Sequence, residues 1–270
     1  MDKRLALIGF GEAGSTFARA AGWGGDVAVW DILPARREAA AALGLVAAAS
    51  PAEALEGAPL VLSLVTADQA LPAVQAYAPL LDDGALWCDC NSIAPGTKRA
   101  AAGAIAAGRY IDGAVLAPVN PARMAVPLLL AGPDAGAGEM LLRRAGFTDV
   151  RTVGAEIGRA SAIKMIRSVM VKGIEALTAE MMLAATAAGV TDEVLASLDA
   201  SEKPRPWRDR AAYNIERMVT HGARRAAEMA ESARTLAELR VEPLMTQGTV
   251  RRQAEMAGRK DLLQPEGERA

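Results

Sequence analysis

Short apolar runs alternate with alanine-rich segments over roughly the first 150 residues, and this alternation narrows the fold more than any other feature of the chain. The runs are Leu5 to Gly9, Val27 to Trp30, Pro59 to Val65, Ala85 to Asp89, Tyr110 to Leu116 and Pro127 to Gly132. Several are apolar on both faces, as strands inside a parallel sheet must be when helices cover the sheet on either side. Between them, segments opened by Ser50-Pro51, by Asp68 and by Ala94-Pro95-Gly96 read as helix starts. Strand and helix in alternation give βαβ units. An α/β Rossmann-type doubly wound sheet is therefore expected over residues 1–156.

The pattern changes after about Gly154. Residues Ser161 to Ala188 contain no proline and repeat Ile163, Ile166, Met170, Ile174, Leu177 and Met181 at helical spacing. A helix of that length spans about 40 Å, and its apolar residues are expected to be buried at a domain seam. A break at Lys203-Pro204-Arg205-Pro206 precedes further helices through Arg240 and a shorter one near Gln247 to Met256. Residues 157–258 are thus expected to form an all-α domain, with 259–270 a loose polar tail.

Composition excludes several classes of function. The 270 residues carry 30 Lys and Arg against 32 Asp and Glu, a net charge of −2. That balance lacks the basic face a nucleic-acid binder needs. No stretch approaches the roughly 18 uninterrupted apolar residues of a membrane span. The apolar run in MDKRLALIGF breaks at Gly9 and meets Glu12, too soon for a signal peptide. Two cysteines, Cys88 and Cys90, cannot staple a fold of this size, and with a single histidine they assemble no metal site. A cytoplasmic protein without metal, nucleic-acid or membrane partners is expected.

Two motifs carry chemistry. Gly9-Phe10-Gly11-Glu12-Ala13-Gly14 follows a strand and opens a helix. Glycines there permit a tight turn and let backbone N–H groups and a helix N-terminus meet a pyrophosphate. Asp31 ends the next strand, 22 residues after Gly9, where a carboxylate accepts from ribose hydroxyls and repels a 2′-phosphate. NAD is the expected cofactor, with NADP possible because Arg36 and Arg37 follow. The second motif lies on the long helix, where Lys164, Ser168 and Lys172 are spaced by four and share a face beside Arg167. A desolvated lysine near another cation loses its proton more readily and serves as a general acid or base. Spacing alone equally allows both stems to lie on apolar surface with their amines in water.

The chain resembles the β-hydroxyacid dehydrogenase family, which includes 3-hydroxyisobutyrate and 6-phosphogluconate dehydrogenases. The resemblance rests on IGFGEAG with VWDILP after it, DCNSIAP, DGAVLAPVNPAR and GRASAIKMIRS, in that order. It implies cofactor contacts from Gly9, Gly11, Glu12, Ala13, Gly14, Asp31, Val65, Thr66 and Asn91, and a catalytic lysine at Lys164. Ser168 stands where the family usually has asparagine, and Ser92 is implicated at the substrate. After Asp112-Gly113-Ala114-Val115 the family's Ser-Gly-Gly carboxylate cradle is replaced by Leu116-Ala117-Pro118. Asn120, Arg123, Lys172 and His221 are the remaining substrate candidates. The implied activity is NAD(P)-dependent interconversion of an alcohol and a carbonyl, with Lys164 as general acid or base and a homodimer as assembly. Imine reduction on the same architecture is an alternative, although those enzymes usually lack the lysine. A redox-silent NAD(H) sensor or scaffold is another.

Overall fold

A computed structural model describes residues 4–105, 109–201, 204 and 206–263, without the side chains of Glu228, Glu231 and Leu262. The apolar runs become strands β1 Leu5–Ile8, β2 Val27–Trp30, β4 Leu60–Ser63, β5 Leu86–Asp89, β6 Tyr110–Val115 and β7 Leu128–Ala131. Two further strands, β3 Val46–Ala47 and β8 Val150–Thr152, complete one sheet of order β3-β2-β1-β4-β5-β6-β7-β8. At two and three residues they are too short to show a period, so the sequence gives them no signal. Every pairing is parallel except β6 with β7. Residues 116–127 between those two strands carry only a 3₁₀ turn, Arg123–Ala125, and an antiparallel neighbour needs no crossover helix.

The pleat sorts the core. Leu5 and Leu7 of β1 pack on one side with Phe10, Phe17 and Val29, whereas Ala6 and Ile8 pack on the other with Val61, Val74 and Trp87. Both sides are covered, which is why β1 reads as a continuous apolar run. The covering helices are α1 Glu12–Ala21, α2 Pro34–Ala41, α3 Pro51–Leu55, α4 Ala70–Tyr77, α5 Pro95–Ala102 and α6 Ala135–Arg144. Proline opens α2, α3 and α5, and the Ser50 hydroxyl accepts the Glu53 N–H to cap α3.

The chain divides into two compact units, Met1–Ser168 and Val169–Ala270. The long helix α7, Arg159–Ala188, begins in the first and continues into the second, which adds α8 Thr191–Ser201, α9 Trp207–Glu238 and α10 Leu244–Met256. In the second unit α9 and α10 approach closely at Gly222, where a Cβ would lie 2.3 Å from the Gln253 carbonyl oxygen. Glu180 of α7 is buried and accepts the Met245 and Thr246 N–H groups, capping α10. The expected burial of α7 is not met: Ile166 is 72% and Val169 75% exposed. An apolar helical stripe specifies burial without specifying by what, and nothing among the described residues covers these two. Lys260–Leu263 closes a 3₁₀ turn at the start of the expected tail. Residues 264–270, and Lys203 and Arg205 of the proline break, lie outside the described residues.

Candidate active site

The glycine turn is fixed from below and open above. Gly9 has φ +92°, and a Cβ there would lie 2.7 Å from the Leu64 carbonyl oxygen. Only glycine takes that backbone at that distance. At Gly14 a Cβ would meet the Gly9 carbonyl oxygen at 3.1 Å, whereas at Gly11 it would meet nothing within 4 Å. Gly11 is also the N-cap of α1 and offers no side-chain acceptor, so the first N–H groups of the helix point into open space. These features fit a pyrophosphate, which needs unobstructed backbone donors at a helix N-terminus.

Asp31 does more than the sequence implies. Its Oδ2 accepts the Phe10 N–H at 2.8 Å and its Oδ1 the Leu33 N–H at 2.9 Å, so the carboxylate ties the glycine turn to the end of β2. A cavity of about 390 Å³ opens beside it, lined by Gly9, Gly11, Trp30, Val65, Thr66 and Tyr77 among others. Arg36 also lines this cavity. Arg37 is committed elsewhere, donating to the Asp31 carbonyl oxygen with its guanidinium 4.8 Å from the Trp30 ring centre.

A second cavity, of about 460 Å³, adjoins the first at Leu64 and Val65. Glu12 and Ala13 of the turn, Asn91, Ser92 and Lys164 meet there, with Val115, Ala117, Pro118 and Val119 as an apolar wall. The Lys164 Nζ donates to the Ser92 Oγ at 2.5 Å. Arg167, one turn after Lys164, donates to the Leu116 carbonyl oxygen at 3.0 Å and so holds the loop after β6 to α7. Ser168 is half-buried, one turn of α7 beyond Lys164. The Asn91 Nδ2 donates to Ser63 Oγ at 3.0 Å, and its buried Oδ1 has no hydrogen-bond partner among the described residues.

Two of the substrate candidates, Asn120 and Arg123, are not brought to Lys164. After Val119 the chain folds back, the Arg123 N–H donating to the Val119 carbonyl oxygen, and turns toward α1. Asn120 and Arg123 therefore line a separate polar hollow with Thr16, Arg19 and Ala20. The spacing along the loop gave no hint of that reversal, which includes a positive φ of 52° at Arg123. Lys172 and His221 are exposed residues of the second unit.

One buried cluster escaped the sequence reading. Lys98 of α5 is 0% exposed, and its ammonium donates to Asp89 Oδ1 at 3.0 Å, to the Asp89 carbonyl oxygen and to the Gly113 carbonyl oxygen at 3.1 Å. Asp112 Oδ1 lies 3.6 Å from the same nitrogen. The Tyr110 hydroxyl donates to Asp89 Oδ2 at 2.7 Å, and burial together with that carboxylate pushes the phenol far above its usual range, so it stays a neutral donor. Inside Thr97-Lys98-Arg99 a lysine reads as solvated. The available signal was Asp89 and Asp112 themselves, two carboxylates on strands expected to be buried and in need of a counter-ion. The Cys88 and Cys90 sulfurs lie 3.8 Å apart in the core, and the hydrogen bond between them and burial push the Cys88 thiol up. Among the described residues no cluster of His, Cys, Asp and Glu is placed to hold a metal, and no helix is long and apolar enough to cross a membrane.

A parallel sheet with a glycine turn at a helix N-terminus and two adjoining cavities along the carboxyl ends of its strands defines a dinucleotide-binding oxidoreductase fold. Residues 4–136 match the NAD binding domain of 6-phosphogluconate dehydrogenase, and residues 185–256 match a domain of unknown function. A conserved hypothetical protein from Sinorhizobium meliloti 1021 is 38% identical, over 94% of this chain and 88% of that one, with a TM-score of 0.61. The conserved protein MTH1747, of unknown function and described as structurally similar to 3-hydroxyacid dehydrogenases, is 31% identical over 95% and 96%, with a TM-score of 0.60. The imine reductase from Myxococcus stipitatus in complex with NADP+ shares the fold at 19% identity over 93% of each chain, with a TM-score of 0.74. The chain belongs to the β-hydroxyacid dehydrogenase family, in a branch that joins this NAD-binding domain to the uncharacterised helical one.

Proposed function

We propose that the protein is an NAD(P)-dependent oxidoreductase that interconverts an alcohol and a carbonyl, with Lys164 as the proton-transfer group. The observation that carries this reading is the 2.5 Å hydrogen bond from Lys164 to Ser92 in a cavity that also reaches Glu12 and Ala13 of the glycine turn. A bound nicotinamide dinucleotide supplies the hydride acceptor or donor. The protein does the rest. The open face of Gly11 and the first N–H groups of α1 bind the pyrophosphate, and Asp31 receives the adenosine ribose, which favours NAD over NADP. The Asn91 carboxamide oxygen, unpartnered at this end of the site, is available to an amide N–H. In carbonyl reduction the Lys164 ammonium gives its proton to the oxygen that becomes the hydroxyl; in oxidation the neutral amine takes it back. Ser92 orients the amine and relays its position to the reacting oxygen.

The wall of Val115, Ala117, Pro118 and Val119 favours a substrate with an apolar flank over a small polar hydroxyacid. The fold shared with imine reductases supports C=N reduction as the second reading, and the same lysine would then protonate nitrogen. Turnover of NADH and NADPH against a panel of aldehydes, ketones and cyclic imines tests both. Lys164→Met should lower kcat by roughly 10² to 10⁴ while NADH still binds, as expected for loss of a proton-transfer group. Wild-type turnover in that variant refutes the assignment, and activity confined to imines moves it to the second reading. A homodimer, with α7 as one contact surface, belongs to the same proposal.

A further inference from the structure

Lys98 touches neither cavity, yet the two walls that meet at Lys164 both lead back to it. Its ammonium has three protons, all directed to oxygen: Asp89 Oδ1, the Asp89 carbonyl and the Gly113 carbonyl. Asp89 passes the constraint one way, since its Oδ1 also accepts the Asn91 N–H at 2.9 Å, immediately before Ser92. Asp112 passes it the other way. Its Oδ2 accepts the Gly158 N–H at 3.0 Å, the Ser161 N–H at 3.1 Å and the Ser161 hydroxyl at 3.3 Å, which anchors the first turn of α7. Ser161 stands three residues before Lys164, on the same side of the helix. The approach is built in: Gly158 has φ +100°, and a Cβ on Gly113 would lie 2.8 Å from the Cys90 sulfur.

Burying one cation between two carboxylates carries a large desolvation cost, and apolar side chains of the same volume often stabilise a core as well. What an apolar core does not provide is a fixed distance between two loops. We infer that Lys98 is a positioning residue, whose buried ammonium holds the Asn91–Ser92 loop and the N-terminus of α7 in register and thereby sets the Lys164–Ser92 contact. This rests on Lys164 as the proton-transfer group.

The chain has six lysines, Lys3, Lys98, Lys164, Lys172, Lys203 and Lys260. Reductive methylation with ¹³C-formaldehyde of the full-length protein therefore gives a sparse carbon–proton spectrum in which Lys164→Arg identifies the Lys164 signal. In the wild type this signal is expected apart from that of Lys172 and to shift when NAD+ is added. Lys98→Met, which removes the charge at similar volume, and Ser161→Ala, which loosens only the α7 side, should each bring the Lys164 signal toward that of Lys172. Affinity for NADH should stay within about threefold, because the glycine turn is untouched. Once a substrate is known, kcat should fall by up to about 10²-fold at unchanged KM for NADH, the cost of a misplaced reacting group. If Lys98→Met does not fold, Ser161→Ala and Asp112→Asn decide. Folded variants whose Lys164 signal and NAD+ response match the wild type overturn the inference and leave Lys98 a packing residue. A wild-type Lys164 signal indifferent to NAD+ instead removes Lys164 from the nicotinamide site, and the variants still report whether Lys98 sets its environment.

Discussion

Two glycines of one turn are expected to fail in different ways when each is given a methyl group. At Gly9 the backbone has φ +92°, and the added Cβ would stand 2.7 Å from the Leu64 oxygen and 2.9 Å from its carbonyl carbon. Those atoms are backbone at the end of β4, so neither can rotate aside. A non-glycine residue held in such a region costs about 1–3 kcal/mol, and the overlap forces a shift of strand or turn worth about as much again. Gly9→Ala should therefore destabilise the protein by about 2–6 kcal/mol, lowering the midpoint of thermal unfolding by roughly 4–24 °C. Gly11 has φ −81°, and a Cβ there would meet nothing within 4 Å. Gly11→Ala should leave stability within about 1 kcal/mol of the wild type. Its methyl group instead occupies the space a pyrophosphate needs, so the dissociation constant for NADH should rise at least about tenfold, or 1.4 kcal/mol. Thermal unfolding by circular dichroism and NADH titration by fluorescence read the two effects separately. An unchanged midpoint for Gly9→Ala, or an unchanged NADH affinity for Gly11→Ala, refutes the reading of the turn.

Two other perturbations test the two units separately. Asp31→Asn keeps the shape but loses the charge and one of the acceptors for Phe10 and Leu33, so NADH should bind at least about tenfold more weakly and the preference over NADPH should narrow, measured by parallel titrations. Glu180→Gln replaces a carboxylate that accepts two N–H groups and the Thr246 hydroxyl at the start of α10, and should cost the second unit about 1–3 kcal/mol in urea unfolding. Burial raises the Glu180 carboxyl, but the hydrogen bonds from Thr246 and Met245 outweigh it and hold the group below its ordinary value of 4.5. A depressed folded value means that the stabilisation is present above pH 4.5 and is lost as the pH falls through the folded value. The difference between wild type and Glu180→Gln should thus close in acid.

The sheet was legible because its central strands are apolar on both faces and its helices are marked by proline and small residues. β3 and β8 were not, being shorter than the period that would reveal them. The glycine turn was legible from Gly9, Gly11 and Gly14, but not the use of Asp31 to hold it, since hydrogen bonds from Phe10 and Leu33 to a side chain leave no trace in spacing. Ser92 and Lys164, 72 positions apart, were both identified, and the structure places them in contact. Asn120 and Arg123 illustrate the opposite case: adjacency along a loop does not survive a reversal of direction at Val119. Lys98 was missed because a lysine among polar helix residues has the same pattern whether its amine meets water or two aspartates.

The most direct test of the central claim is a crystal structure of the full-length protein with NAD+ bound. The expected result is the pyrophosphate over Gly11 at the N-terminus of α1 and the nicotinamide ring in the cavity bounded by Asn91, Ser92 and Lys164. A dinucleotide with its nicotinamide outside that cavity, or reversed so that adenine fills it, contradicts the assignment of Lys164 to proton transfer.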